Sequence, residues 1–133
     1  MTEILYRRDA EVSPPQLAAL FRSAGMRRPV DDLDRLARML RHANLIVSAW
    51  EGEELVGIAR ALTDFSYACY LSDLAVEKSR QHRGIGRRLI DEVHDAIGPQ
   101  SMLLLLSAPG AMAYYPKTGF EAVDNGWIIK RKE

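Results

Sequence analysis

The chain has 133 residues, 47% hydrophobic and 27% charged, a balance that excludes a disordered chain and suits one globular domain spanning 1–133. Eighteen basic and 18 acidic side chains cancel, which excludes a global field for attracting nucleic acid. A single cysteine, Cys69, excludes an intramolecular disulfide.

The N-terminus carries no apolar leader, and no apolar run reaches membrane-spanning length, so no membrane partner and a cytoplasmic location are expected. Residues 4–8 suit a short strand. Ser13, Pro14 and Gln16 then supply an N-cap, a first-turn proline and a capping-box partner for a helix. Its buried stripe is Leu17, Leu20, Phe21 and Ala24, and Gly25 stops it. A second helix follows Pro29, capped by Asp31 or Asp32, with Leu33, Leu36, Ala37 and Leu40 on one face.

Residues 45–50 and 55–63 read as strands joined by a turn at Glu51-Gly52-Glu53-Glu54, and 67–76 as a third strand of an antiparallel meander. Ile85, Leu89, Val93 and Ile97 give the next helix one apolar stripe, ended by Gly98-Pro99. The apolar run at 102–106 suits a strand buried on both faces, and strand, helix, strand makes a βαβ unit. A short helix through Tyr115 and strands at 120–123 and 127–130 complete the expected order, β-α-α-β-β-β-α-β-α-β-β. By periodicity this is an α/β (α+β) chain.

The informative stretch lies between the strand at 67–76 and the helix after it: Gln81-His82-Arg83-Gly84-Ile85-Gly86-Arg87. The first N–H groups of a helix lack partners and sit at the positive end of its dipole, so anions bind there. Gly84 and Gly86 let a diphosphate approach the backbone, and Arg83, Arg87 and Arg88 add positive charge. No Gly-Lys-Ser/Thr follows, as a P-loop requires, and Leu89 stands where a dinucleotide fingerprint needs Gly or Ala. The remaining pattern is Gln/Arg-x-x-Gly-x-Gly/Ala, which Gln81, Gly84 and Gly86 match. A plain tight connection between strand and helix would also fit those six residues.

With Leu74-Ala75-Val76 upstream and Tyr115-Pro116-Lys117-Thr118-Gly119-Phe120 downstream, the segment resembles the GNAT superfamily of acyl-CoA N-acyltransferases. The resemblance implies a mixed twisted sheet with helices on both faces, whose two central parallel strands splay to admit the acyl-pantetheine. It implies acetyl-CoA as cosubstrate, no metal, and an amine acceptor from a small molecule, amino acid or peptide, attacked directly in a ternary complex. Leu74, Ala75 and Val76 would bind pantetheine, and Gln81, His82, Arg83, Gly84, Ile85, Gly86 and Arg87 the diphosphate. Family members are often dimers, which makes a homodimer an expectation.

Acyl transfer needs a base or solvent to take the amine proton, stabilisation of an oxyanion, and a proton donor for the departing thiolate. The resemblance gives the donor role to Tyr115, four residues before Gly119; Tyr114 is its rival but misses that spacing. Asp73 is the candidate base, or else a strand carboxylate paired with an arginine. Pro116 and Ala108, where the family often has Asn, depart from the pattern and motivate the alternative of a non-catalytic acyl-CoA-binding or regulatory module. Asp31, Asp32, Asp34 and Asp64 could attract an amine, Arg27-Arg28 a carboxylate, or all could be caps and solvated surface.

Overall fold

Five strands, β1 (Ile4–Arg7), β2 (Leu45–Glu51), β3 (Glu54–Thr63), β4 (Ala68–Val76) and β5 (Met102–Leu105), form one sheet in chain order. A computed structural model describes residues 3–133. Strands β1 to β4 are an antiparallel meander; β5 joins β4 in parallel after a crossover through α3 (Ile85–Ile97). Two neighbouring parallel strands need such a crossover. α1 (Pro14–Ala24) and α2 (Leu33–His42) cover the opposite face, giving a mixed α/β sheet with helices on both sides.

The helix boundaries follow their local chemistry. Ser13 Oγ accepts from the Gln16 N–H (3.2 Å) and Gln16 Oε1 from the Ser13 N–H (2.9 Å), the reciprocal capping box expected there. Gly25 ends α1 at φ 73°, a left-handed geometry that costs glycine nothing. For α2 the cap is Asp32, whose carboxylate accepts from the Arg35 N–H at 3.0 Å, while Asp31 pairs with Arg22. On the other face α3 buries Ile85, Leu89, Val93 and Ile97. It lies close because β3 offers Gly57 beneath it; a Cβ there would stand 3.1 Å from Leu89 Cδ1 and 3.2 Å from Ile85 Cγ2.

One irregularity in β4 decides what faces what. Arg60 of β3 is opposite Asp73, yet Ala61 is opposite Leu71, so Ser72 is an extra residue in β4, a β-bulge. Cys69 and Leu71 before it, and Leu74 and Val76 after it, pack toward α3; Ala75 packs into the core under α1 and α2. The bulge therefore turns Asp73 toward the α1 and α2 side, where regular alternation would have put it beneath α3 with Leu71.

Pairing of β4 with β5 stops at Leu71 and Leu105, so among the described residues β4 has no strand on its β5 side from Ser72 to Val76. The two parallel strands thus part at the bulge.

Three expectations need correction. Residues 120–123 and 127–130 form no strands: a strand needs a backbone partner, and these segments have none among the described residues, with Trp127 and Ile129 both 97% exposed. The run at 102–106 is buried on one face only, because Leu103 and Leu105 pack on the α3-side core while Met102, Leu104 and Leu106 stay exposed. The short helix through Tyr115 is replaced by two 3-10 turns, Pro109–Ala111 and Tyr115–Thr118. Pro116 has no N–H to donate back along an α-helix.

Candidate active site

Between β4 and α3 the chain makes a 3-10 turn at Lys78–Arg80, then enters the glycine loop. The turn is braced. Arg80 bonds Glu51 at the end of β2 (3.0 Å), Glu54 at the start of β3 (2.8 Å) and Glu77 just past β4 (2.8 Å). Hydrogen bonds from Ser79 and Arg80 hold the Glu77 carboxyl down at about 2. The Gln81 side-chain amide donates to the Val76 carbonyl at 3.0 Å, buckling the loop back onto the last residue of β4. Its side chain therefore shapes the loop and does not face a ligand.

Gly84 is the N-cap of α3 at φ 85°, with open space where a side chain would project and no side chain capping the helix. His82 also has positive φ, 65°, so two left-handed residues bend the loop. Among the described residues, no protein acceptor takes the backbone N–H groups of 82–87; the first internal bond is from the Arg88 N–H to the Gly84 carbonyl at 3.0 Å. Unpartnered amides, an uncapped helix end and a clear approach over Gly84 fit a diphosphate. Ile85 adds only its backbone, because its side chain is in the core. Arg83 acts on Glu51 from the loop, Arg87 pairs with Asp91 at 3.5 Å one turn along α3, and Arg88 turns away, stacking over the Tyr6 ring at 4.6 Å and pairing with Glu92.

The Tyr115–Thr118 turn sits against the first turn of α3. Arg87 Nη1 donates to the Lys117 carbonyl at 3.4 Å, and the Tyr114 hydroxyl rests on Gly86, where an added Cβ would be 2.9 Å from it. Tyr115 packs edge-on between Tyr114 (5.2 Å between centroids) and Phe120 (5.6 Å), against the core under α3. Burial, and secondarily Tyr114, push the Tyr115 phenol above its ordinary range, so it holds its proton at neutral pH.

Asp73 is elsewhere in character. It is 1% exposed, with Oδ1 accepting from Arg28 Nε at 2.6 Å and Oδ2 from Arg60 Nε. Both oxygens are committed to guanidinium groups inside the protein. A base must lie within hydrogen-bond reach of the amine it deprotonates, and a carboxylate that is buried with a guanidinium on each oxygen does not, so this geometry does not support Asp73 as a general base. Removing one charge of a buried group of this kind costs about 3 kcal/mol or more. Asp73→Asn is therefore expected to lower unfolding free energy by ~3 kcal/mol in urea titrations; a loss of activity in a variant of unchanged stability would restore the base assignment.

Three of the other acidic candidates are also occupied. Asp64 accepts from the N–H groups of Ser66, Tyr67 and Ala68, which lowers its pKa; Asp31 and Asp32 hold Arg22 and the α2 terminus. Trp50 is core, its indole N–H donating to Ser48 Oγ at 2.8 Å. Among the described residues no helix is long and apolar enough to cross a membrane. The residues that sequence reasoning missed are Arg60 and Arg80; it already weighs Arg28 as a carboxylate ligand and Tyr114 as the rival of Tyr115. Only Arg60 left a sequence signal: it is the lone charge in the apolar run 55–63, as Asp73 is in 67–76.

Comparison with known proteins bears on this arrangement. A family model for the acetyltransferase (GNAT) domain matches residues 19–128. The soybean (Glycine max) proteins named probable acetyltransferase TAP2 and histone acetyltransferase TAP1 are 26% and 27% identical across 93% of this chain. The chain spans only 54% and 58% of those relatives. In fold it is similar to a probable acetyltransferase from meticillin-resistant Staphylococcus aureus, with TM-score 0.83 and 23% identity over 97% of this chain and 100% of that one. It is also similar to the aminoglycoside N-acetyltransferase AAC(6')-Iy in complex with CoA, with TM-score 0.75 and 16% identity over 99% and 97%. Family model, sheet and loop agree: the chain belongs to the GNAT acetyltransferases, a family of acyltransferases.

Proposed function

We propose that this protein transfers the acetyl group of acetyl-CoA to a primary amine of a small molecule, amino acid or peptide. The observation that carries the reading is the set of unpartnered backbone amides at 82–87, opening α3 beside the unpaired edge of β4. In this reading those amides and Arg83 and Arg87 bind the diphosphate, and the free edge around Leu74, Ala75 and Val76 pairs with the pantetheine amides as a strand would. The thioester then lies where β4 and β5 part.

The acceptor amine attacks the thioester carbonyl: a C–N bond forms, the C–S bond breaks, and the amine proton leaves to solvent. Tyr115 gives its proton to the departing sulfur. Holding both substrates together supplies much of the rate, so no covalent enzyme intermediate is needed. Asp73 serves in this scheme as the buried anchor of the bulge and not as the base.

The test is CoA binding by calorimetry, followed by thiol release from acetyl-CoA across an amine panel. Acceptor-dependent release supports the reading. Binding of CoA with no release on any amine would favour a non-catalytic module, and absence of CoA binding would remove the reading altogether.

A further inference from the structure

From the charge and geometry around the β4 bulge we infer that the acceptor is an amine carrying a carboxylate a few bonds away, a small free amino acid, and that Arg28 binds that carboxylate. The inference rests on the acetyltransferase reading above. Arg28 lies in the loop between α1 and α2 and reaches across to β4: Nε donates to Asp73, and Nη2 donates to the Ser72 carbonyl at 3.0 Å, at the bulge itself. Nη1 donates to the Arg27 carbonyl at 2.8 Å. Each Nη carries a second N–H, and no protein acceptor takes either of them among the described residues.

The charge at this spot does not balance. Two guanidinium groups face one carboxylate, and no other carboxylate is within ion-pair distance of Arg28 or Arg60 among the described residues. Arg60 is nearly sealed and has further acceptors: Nη1 donates to the Met39 carbonyl in the last turn of α2, the negative end of that helix, and Nη2 donates to Ser72 Oγ. Asp73 and that helix end answer Arg60. The unanswered charge is therefore on Arg28, whose side chain keeps 28% exposure, with its guanidinium carbon 5.8 Å from the centroid of the Phe21 ring.

A half-buried cation with free N–H donors in a fixed fork matches a carboxylate. Because Arg28 caps the residue at which β4 leaves β5, a carboxylate held there puts an amine only a few bonds away beside the thioester. The buried Asp73 also fixes the guanidinium plane in advance, so little freedom is lost on binding.

The experiment compares amino acids with their own carboxamides as acceptors (glycine with glycinamide, alanine with alaninamide, and so on through a panel). Thiol release from acetyl-CoA is the readout, for the wild-type chain, Arg28→Gln and Arg28→Lys. The wild type is expected to favour the acids by about tenfold or more in kcat/KM, because a site built to bond a polar group discriminates against its absence. Arg28→Gln is expected to remove that preference through acceptor KM, with acetyl-CoA KM unchanged, and Arg28→Lys to restore it in part, since a lysine keeps the charge without the fork. Should Arg28→Gln fail to fold, the wild-type comparison of acid with amide still decides. Equal or better use of amides, or no turnover of any acid while CoA binds, would overturn the inference and leave the cofactor reading standing. Absence of CoA binding would instead remove the cofactor reading and this inference with it.

Discussion

Gly84→Glu is expected to weaken CoA binding by about a thousandfold, close to 4 kcal/mol. Two effects add. At φ 85° any side chain is strained by roughly 1–2 kcal/mol, so the loop is pulled away from the shape that aims its amides outward. The space over Gly84 is open, so the new carboxylate would project into it and meet the diphosphate; like charges about 8 Å apart at an effective dielectric of 20 repel by ~2 kcal/mol. Gly84→Ala separates the two, keeping the strain without the charge, and is expected to lose only about tenfold. Titration calorimetry with CoA measures both, with thermal melts as the fold control. Undiminished affinity in a folded Gly84→Glu variant would mean that the diphosphate binds elsewhere.

Much of this architecture was legible because it is written in local chemistry. The capping box at Ser13 and Gln16, the glycine stops, the apolar stripe of α3 and the glycine loop each depend on residues adjacent in the chain, so motif and geometry coincide. What was not legible depends on partners far apart. The strands expected at 120–123 and 127–130 carry aromatic and β-branched residues, but that composition records a preference for a half-buried surface and not the presence of a neighbour to pair with. Long-range packing decides the last strand too: Met102, Leu104 and Leu106 are apolar enough for a buried strand yet stand exposed, because side chains on a sheet face are covered only by an element packed over that face.

The bulge at Ser72 is the sharper case. One inserted residue reverses every side chain after it, so whether Asp73 met the acyl site or the arginines depended on a register that the sequence does not display. A weak sign was present nevertheless. Arg60 and Asp73 are single, opposite charges in two otherwise apolar strands, and isolated buried charges are tolerated when they find each other. Arg28 was legible as a candidate carboxylate ligand but not as a partner of Asp73, which the fold brings to it from 45 positions along the chain.

Tyr115→Phe is expected to lower kcat by about a thousandfold, within the span usual for removing a positioned general acid, while leaving acetyl-CoA KM nearly unchanged. The ring stays, so the edge-on packing against Tyr114 and Phe120 stays with it, and only the proton donor is lost. The pH dependence adds a second, independent reading. Burial raises the phenol above its ordinary value near ~10, so the protonated, donating form persists through neutral pH, and activity should fall only as pH climbs beyond that value. That alkaline limb should vanish in Tyr115→Phe, where no proton remains to lose. Tyr114→Phe is the necessary companion, because the Tyr114 hydroxyl lies against Gly86 at the loop, and its pKa is likewise raised by burial. If the thousandfold loss and the missing limb appear in Tyr114→Phe and not in Tyr115→Phe, the proton donor is the residue at the helix end, and the motif spacing pointed to its neighbour.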